Sequence, residues 1–321
     1  MKKIREASPL LVICGPTASG KTALAVELSR HFPIEVVSAD SRQVYRGLDI
    51  GTAKATAAER RQVPHHLLDL VDPDEEFSVA DFASLAHGAI ADVLARGRLP
   101  VLLGGTGLYL RAVTEGLVDA PTGDPVVRAE LLEREGREGP GTLFRLLQEV
   151  DPPLAQRIPP GDVTRTVRAL EVYRLSGRRL SDFQREHAFA ERPYSTLKIG
   201  LAPPREELYR RIDQRVEGML EQGLPAEVRG LLDRGYDPEC KALRTIGYRE
   251  LIQHLRGEIS LAEAVTLIKR NSRHYAKRQL TWFRGDEAII WVDSWSESAK
   301  LQKLIELFLL RTRSGYGQDP F

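Results

Sequence analysis

Residues Gly15-Pro16-Thr17-Ala18-Ser19-Gly20-Lys21-Thr22 match the pattern G-x-x-x-x-G-K-[ST] in full. The motif constrains the fold because it works only between a buried strand and the helix that follows it. Leu10 to Cys14 is a wholly apolar run ending at Gly15, as a buried parallel strand requires, and Lys21 to His31 carries Ala23, Leu24, Val26 and Leu28 at helical positions. Glycines let the backbone N–H groups turn inward around an oxyanion, and the helix N-terminus adds partial positive charge. Lys21 supplies a point charge to the outer phosphate, and the Thr22 hydroxyl can ligate Mg²⁺. The loop specifies a diphosphate or a triphosphate without distinguishing them.

The flanking sequence extends this to an α/β fold. Ile34 to Val37 and Pro100 to Leu103 read as further buried strands, separated by a helix from Ser78 to Arg96 with Ser78 as N-cap and Gly97 as stop. Strands alternating with helices predict a P-loop NTPase-like parallel sheet covered on both faces. From about Glu115 to Ser195 the strand signal fades, and helical stretches (Pro125 to Leu132, Thr142 to Val150, Thr164 to Leu175) stand between Gly and Pro clusters. Lys198 to Leu201 reads as a strand returning to the sheet, followed by a long helix from Arg205 to Glu221. Ala288 to Val292 is expected as a last strand and Gln302 to Leu310 as a last helix, with a frayed tail after Arg311 through Ser314, Gly315 and Gly317. The expected domains are therefore a core of residues 1–115 plus 197–321 and a mostly helical insertion of residues 116–196.

Composition narrows the function classes. With 321 residues, 46 basic and 45 acidic, the net charge is +1, so the chain is not a uniformly basic nucleic-acid binder, although local patches remain open. Its two cysteines, Cys14 and Cys240, provide neither a disulfide scaffold nor a cysteine-ligated zinc site. The opening apolar run is too short for a signal peptide, and no stretch approaches membrane-spanning length. A cytoplasmic monomer is the expectation.

Several side chains are candidates for chemistry. Asp40, in Ser38-Ala-Asp40-Ser41-Arg42-Gln43-Val-Tyr45, stands at the carboxyl end of the second strand, where open α/β sheets bind ligands. It can serve as a metal ligand or as a base; the ordinary alternative is a capping Asp. Gly104-Gly105-Thr106 ends the third strand where a Walker-B Asp would stand, which counts against a motor or a switch GTPase. Thr106 alone would be a helix N-cap. His65-His66 has no spaced metal-ligating partner and reads as structural or surface.

Residues 244–284 carry nine basic side chains against three acidic ones. Lys269, Arg273 and Lys277 fall at i, i+4 and i+8, with Arg270, His274 and Arg278 on the adjoining row. That row spans about 12 Å, enough for more than one backbone phosphate. Trp282 and Phe283 follow, as stacking surface or as core. A second cluster, Arg165, Arg168, Arg174, Arg178 and Arg179 with Glu171 alone, lies in the insertion. Two such clusters in a neutral chain point to a polyanionic partner. Arg215, four residues after Arg211, offers a second phosphate clamp; the ordinary alternative is a pair with Glu207 or Glu217.

Taken in order, GPTASGKT, SADSRQVYRGLDIGTAK, GGTGLYL, RALEVYRLSG, RIDQRVEGML, RTIGYRE and AKRQLTWFR resemble the tRNA dimethylallyltransferases, also called tRNA isopentenyltransferases, from about Leu10 to Val292. The resemblance implies that Gly15 to Thr22 hold dimethylallyl diphosphate rather than a nucleotide, with Thr22 helping to place Mg²⁺. It implies as acceptor the exocyclic amine of adenosine 37, 3′ of the anticodon, in tRNAs reading codons that begin with uridine. Asp40 would be the base, Ser41, Arg42 and Gln43 would hold the flipped adenine, Thr106 would stand at the reaction centre and Arg215 would assist the diphosphate. The tRNA anticodon stem-loop would be met by Arg128, by Thr164, Arg165, Thr166, Val167 and Arg168, and by Arg244, Thr245, Ile246, Gly247, Tyr248 and Arg249, with Lys277 and Arg278 on the basic helix. A bacterial-type member, without the zinc-finger extension of some eukaryotic ones, is what the resemblance leads one to expect. Three other readings remain open on the residues alone: a phosphate-loop kinase for a small metabolite, an adenylate isopentenyltransferase acting on free nucleotide, and a non-catalytic RNA-binding switch.

Overall fold

A computed structural model describes residues 8–293 and 298–313. In chain order the elements are β1 (Ser8–Cys14), α1 (Lys21–Leu28), β2 (Ile34–Ser38), α2 (Ala57–Gln62), β3 (His65–His66), α3 (Val79–Ala95), β4 (Leu99–Gly104) and α4 (Gly107–Glu115). Helices α5 (Pro125–Glu138), α6 (Thr142–Val150), α7 (Pro152–Ala155), α8 (Val163–Ser176) and α9 (Leu180–His187) follow. The chain then runs through β5 (Tyr194–Leu201), α10 (Arg205–Glu221), α11 (Leu224–Asp233), α12 (Tyr248–Leu255), α13 (Leu261–Phe283), β6 (Ile289–Val292) and α14 (Ser298–Arg313). The expected frayed tail after Arg311 falls, from residue 314 onward, outside the described residues.

The six strands form one sheet in the order β3-β2-β4-β1-β5-β6, and every pairing is parallel. Alternation along β1 explains the two layers that cover it. Leu10, Val12 and Cys14 enter a core with Phe82, Ala86 and Ile90 of α3 and Tyr109 and Val113 of α4. Leu11 and Ile13 face the other way, onto Leu24, Ala25 and Leu28 of α1 and Leu301 and Ile305 of α14. A strand buried on both faces has to be apolar throughout, as Leu10 to Cys14 is. No helix among the described residues is long and apolar enough to cross a membrane.

The chain divides into two compact units, Met1–Thr114 with Arg192–Phe321, and Glu115–Glu191. The second boundary lies earlier than residue 196 because β5 already begins at Tyr194. The helical unit has its own core of Leu131, Leu143, Leu147, Leu154, Val167 and Leu170.

Local chemistry sets the helix ends. Ser78 caps α3, its hydroxyl accepting the Asp81 N–H while Asp81 accepts the Ser78 N–H, and Gly97 follows at φ +67°. Helix α1 stops at Leu28, short of His31: Arg30 and His31 turn back on carbonyls three residues earlier, at 3.2 and 3.0 Å, ahead of Pro33.

Candidate functional site

Strands β1, β2 and β4 end side by side, and the loops that leave them meet at one edge of the sheet. Ala39 N–H donates to Leu103 O (2.7 Å) and Thr106 N–H to Ala39 O (3.3 Å), holding the turns after β2 and β4 together. A side chain at Gly104 would stand 2.1 Å from Ala39 O, so no carboxylate fits at this end of β4. Above this edge lies a cavity of about 1230 Å³, walled by Thr17 to Ala23, by Asp40 to Gln43, by segment 49–57, by one face of α10 and by one row of α13.

The phosphate loop forms one end. Gly15 adopts φ +144°, and a Cβ there would meet Leu201 O at 2.5 Å, so the loop passes β5 only as glycine. The Ser19 hydroxyl is fully buried without a hydrogen-bond partner among the described residues. Lys21 Nζ curls back onto the carbonyls of Pro16 (2.8 Å) and Gly15 (3.1 Å). Burial first, and then the charge of Arg215, pull Lys21 down to about 8, against an opposing influence of Asp40. Arg215 Nη1 reaches Thr17 Oγ1 at 3.4 Å, and burial lowers its pKa. Neither expected alternative partner takes Arg215: Glu207 pairs with Arg210 and Arg211, and Glu217 with Lys269. Two cations thus stand at the phosphate loop, Lys21 from the loop itself and Arg215 from α10, neither in an ion pair among the described residues, which suits an anionic ligand.

The residues present fit Mg²⁺ held largely by substrate. Thr22 lines the cavity, its hydroxyl makes no hydrogen bond among the described residues, and no cluster of three metal-ligating side chains occurs among them. A hydroxyl beside a phosphate site, with substrate oxygens and water completing the shell, is a usual environment for this ion.

The other end is built around Asp40. Its Oδ1 accepts the Arg42 N–H (2.8 Å), the capping turn that the sequence allowed, and Oδ2 has no hydrogen-bond partner among the described residues. Thr106 immediately precedes α4, its carbonyl accepting the Tyr109 and Leu110 N–H groups, and its hydroxyl accepts the Ser41 N–H (3.1 Å) and so holds the Asp40 loop. Gln43 is fixed by Ser38 Oγ, which donates to its Oε1 (3.1 Å), and by Thr52 O and Ala53 O, which accept from its Nε2 (3.2 and 3.3 Å). Arg42 Nη1 donates to Lys241 O. Arg244, Thr245, Ile246, Gly247 and Arg249 line the same cavity.

Two contributors went unread in the sequence. Tyr275 lines the cavity, and burial followed by the Asp40 charge pushes its phenol up to about 12. Gln279, buried, joins the phosphate loop to Gly105. Both lie on the α13 row Ile268-Ser272-Tyr275-Gln279, a 3.6-residue period interleaved with the basic rows that could have revealed them.

The basic segments require corrections. Lys269 pairs with Glu217 (2.6 Å), and Arg273 forms a two-pronged pair with Asp213, so this part of the expected phosphate-facing row is spent on α10. Arg270, His274, Lys277 and Arg278 remain exposed, and Arg278 also lines the cavity. Phe283 is core; Trp282 is half exposed, its indole occupying the space above Gly107. Tyr248 is fully buried and donates to Glu227, so it offers no surface to a ligand.

In the helical unit, Thr166 and Val167 are buried as well. Arg128 and Arg168 both pair with Glu171, itself fully buried, and Arg168 also donates to Pro121 O. Arg165, Arg174 and Arg178 pair with Asp162, Glu130 and Glu186, acids that lie outside residues 165–179. Thr164 and Arg165 remain exposed. Of the two histidines, His66 Nε2 meets Glu35 Oε2 at 2.6 Å, whereas His65, whose Nδ1 meets Val63 O at 2.8 Å, also lines the cavity.

Known proteins resemble this chain in sequence and in fold. The IPP transferase family profile matches residues 43–286, and the isopentenyl transferase profile matches residues 8–69. A tRNA dimethylallyltransferase 1 of Syntrophotalea carbinolica is 58% identical over 94% of this chain and 96% of its own. A tRNA dimethylallyltransferase of Geobacter metallireducens is 55% identical over 91% and 94%. Among solved structures, the tRNA isopentenylpyrophosphate transferase of Bacillus halodurans superposes with a TM-score of 0.71 at 42% identity, covering 97% of this chain and all of that one. A eukaryotic dimethylallyltransferase acting on tRNA gives 0.79 at 27% identity, over 98% and 81%. By profile, by sequence and by fold, the chain belongs to the IPP transferase family.

Proposed function

We propose that this protein transfers the dimethylallyl group of dimethylallyl diphosphate to the exocyclic amine of adenosine 37 in tRNAs reading codons that begin with uridine, releasing diphosphate. One observation carries the reading: Lys21 of the phosphate loop and Arg215 of α10 stand together without a carboxylate partner among the described residues, while Asp40 lines the same cavity with one oxygen open among those residues. An anionic leaving group and a proton donor therefore have complementary places within one enclosure.

The N–H groups of the loop, Lys21 and Arg215 hold the diphosphate and stabilise the charge it gains as the allylic C–O bond breaks. Mg²⁺, with Thr22 as its protein ligand, would add electrostatic stabilisation of the same leaving oxygens. The amine nitrogen bonds to the prenyl carbon, and its proton passes to Asp40 Oδ2. A stacked adenine cannot reach this carboxylate, so the base has to leave the anticodon loop. The cavity that would receive it is lined by Arg42, Arg244, Arg249 and Arg278, with Tyr275 as an aromatic wall. The exposed Lys277 and Arg278 face the tRNA backbone.

Diphosphate release tests the reading with dimethylallyl diphosphate as donor and either unmodified tRNA or AMP as acceptor. Release with tRNA and background release with AMP is the expected result. Equal release with AMP, or phosphate transfer from ATP, would overturn it.

A further inference from the structure

Asp49, Ile50 and Gly51, on the cavity wall, turn three successive N–H groups toward one carboxylate. Glu227 Oε2 accepts from Asp49 (3.1 Å) and Ile50 (2.8 Å), and Oε1 accepts from Gly51 (3.2 Å). Tyr248 OH donates to the same Oε1 at 2.5 Å. Burial, and then the Glu227 charge, push that phenol well above its ordinary value, which keeps it a donor. Successive N–H groups converging on one point make an anion nest, and here the occupant is the chain's own side chain from α11. Gly51 makes room for the arrangement, since a Cβ there would stand 2.4 Å from the Tyr248 ring. Lys54 grips the segment from within, donating to Tyr45 O (2.8 Å), Asp49 Oδ1 (2.6 Å) and Asp69 Oδ1 (2.5 Å).

The next two carbonyls of this clamped segment, Thr52 O and Ala53 O, accept both prongs of Gln43 Nε2. A side-chain amide has two N–H hydrogens, so the orientation of Gln43 beside Asp40 is set by where those carbonyls stand.

We infer that Glu227 is a positioning residue for the acceptor side of the site: by filling the nest at residues 49–51, with Tyr248 behind it, it fixes the carbonyls that orient Gln43. An ionised carboxylate accepts from four donors at once, whereas a glutamine has one oxygen and would turn an NH₂ group toward N–H groups. The inference rests on the functional reading above, through the placement of Gln43 against the acceptor base.

The test is steady-state kinetics with tRNA and donor varied separately, on Glu227→Gln, Tyr248→Phe, Gln43→Ala and the double variant Glu227→Gln/Gln43→Ala, with thermal unfolding measured on each. Glu227→Gln is expected to raise KM for tRNA about tenfold while KM for dimethylallyl diphosphate stays within about twofold. In the Gln43→Ala background the further effect of Glu227→Gln should shrink below about twofold, because nothing remains to orient. Tyr248→Phe removes one hydrogen bond at constant volume and should raise KM for tRNA about threefold; it carries the comparison if Glu227→Gln does not fold. Multiplying effects in the double variant, equal changes in both KM values, or a loss of thermal stability alone would overturn the inference. A wild-type protein lacking transferase activity would instead overturn the functional reading, and tRNA affinity measured directly on the same variants would still decide the role of Glu227.

Discussion

Gln279 and Thr17, on α13 and in the phosphate loop, are joined by a hydrogen bond from the Thr17 N–H to Gln279 Oε1 at 2.9 Å. The other end of the same amide donates to Gly105 O, also at 2.9 Å, so one buried side chain sets the spacing between the loop after β1 and the loop after β4. It also commits one amide of the phosphate loop to the protein. A Cβ on Gly105 would stand 2.2 Å from Gln279 Nε2, which is why a glycine occurs there.

Gln279→Leu keeps the volume and strands both partners, at a cost of about 1–3 kcal/mol for each unsatisfied buried group. The expected outcome is a lower unfolding temperature and KM for dimethylallyl diphosphate raised about tenfold, with tRNA affinity within about twofold. Equilibrium tRNA binding and donor-dependent kinetics check the split.

Asp40→Asn separates two duties of one residue. Asn retains an oxygen for the Arg42 N–H, so the turn survives, while the proton acceptor is removed. Turnover should fall by about 10²–10⁴ with tRNA affinity within about threefold, as read by single-turnover kinetics and filter binding. Turnover comparable to wild type would remove Asp40 as the base.

Charge on α13 divides by partner. Lys277→Glu/Arg278→Glu should weaken tRNA binding and flatten its salt dependence by about 0.7–0.9 for each phosphate that is no longer neutralised. Lys269→Gln and Arg273→Gln should leave that slope unchanged, because Glu217 and Asp213 already hold these charges. Binding isotherms across a salt series decide both.

Acid should weaken the helical unit through Glu171. Burial opposes its ionisation, but the Arg168 hydrogen bond, the Asp124 N–H and the charges of Arg128 and Arg168 outweigh it and hold the carboxyl below the ordinary glutamate value. A depressed folded-state value means stability that is present above the unfolded value of about 4.3 and is lost as pH falls through the folded one. Glu171→Gln should cost about 3 kcal/mol at pH 7 in a denaturant titration, with the difference from wild type narrowing in strong acid. A difference independent of pH would dissociate the carboxyl from the effect.

What the sequence disclosed was whatever local periodicity and contiguous motifs determine. Helix α10 spans Arg205–Glu221 as its pattern implied, and the phosphate loop, the apolar β1 and the Ser78 cap all depend on neighbours within a few residues. Pairing across the fold was not legible. Lys269 and Arg273 read as a free basic row because Glu217 and Asp213, which neutralise them, lie on another helix more than fifty residues away. Tyr248 falls in a segment that the family resemblance assigns to tRNA, yet the acceptor for its hydroxyl comes from α11. Gln279 sat unnoticed among basic residues because its value lies in reaching Thr17, 262 residues distant in sequence.

Mass analysis of the nucleosides of an unmodified tRNA, after incubation with the purified protein, dimethylallyl diphosphate and Mg²⁺, tests the central claim most directly. The account predicts one five-carbon addition per tRNA on the amine of the adenosine 3′ of the anticodon, with one diphosphate released for each. An unmodified adenosine there, alongside consumption of ATP, would contradict it.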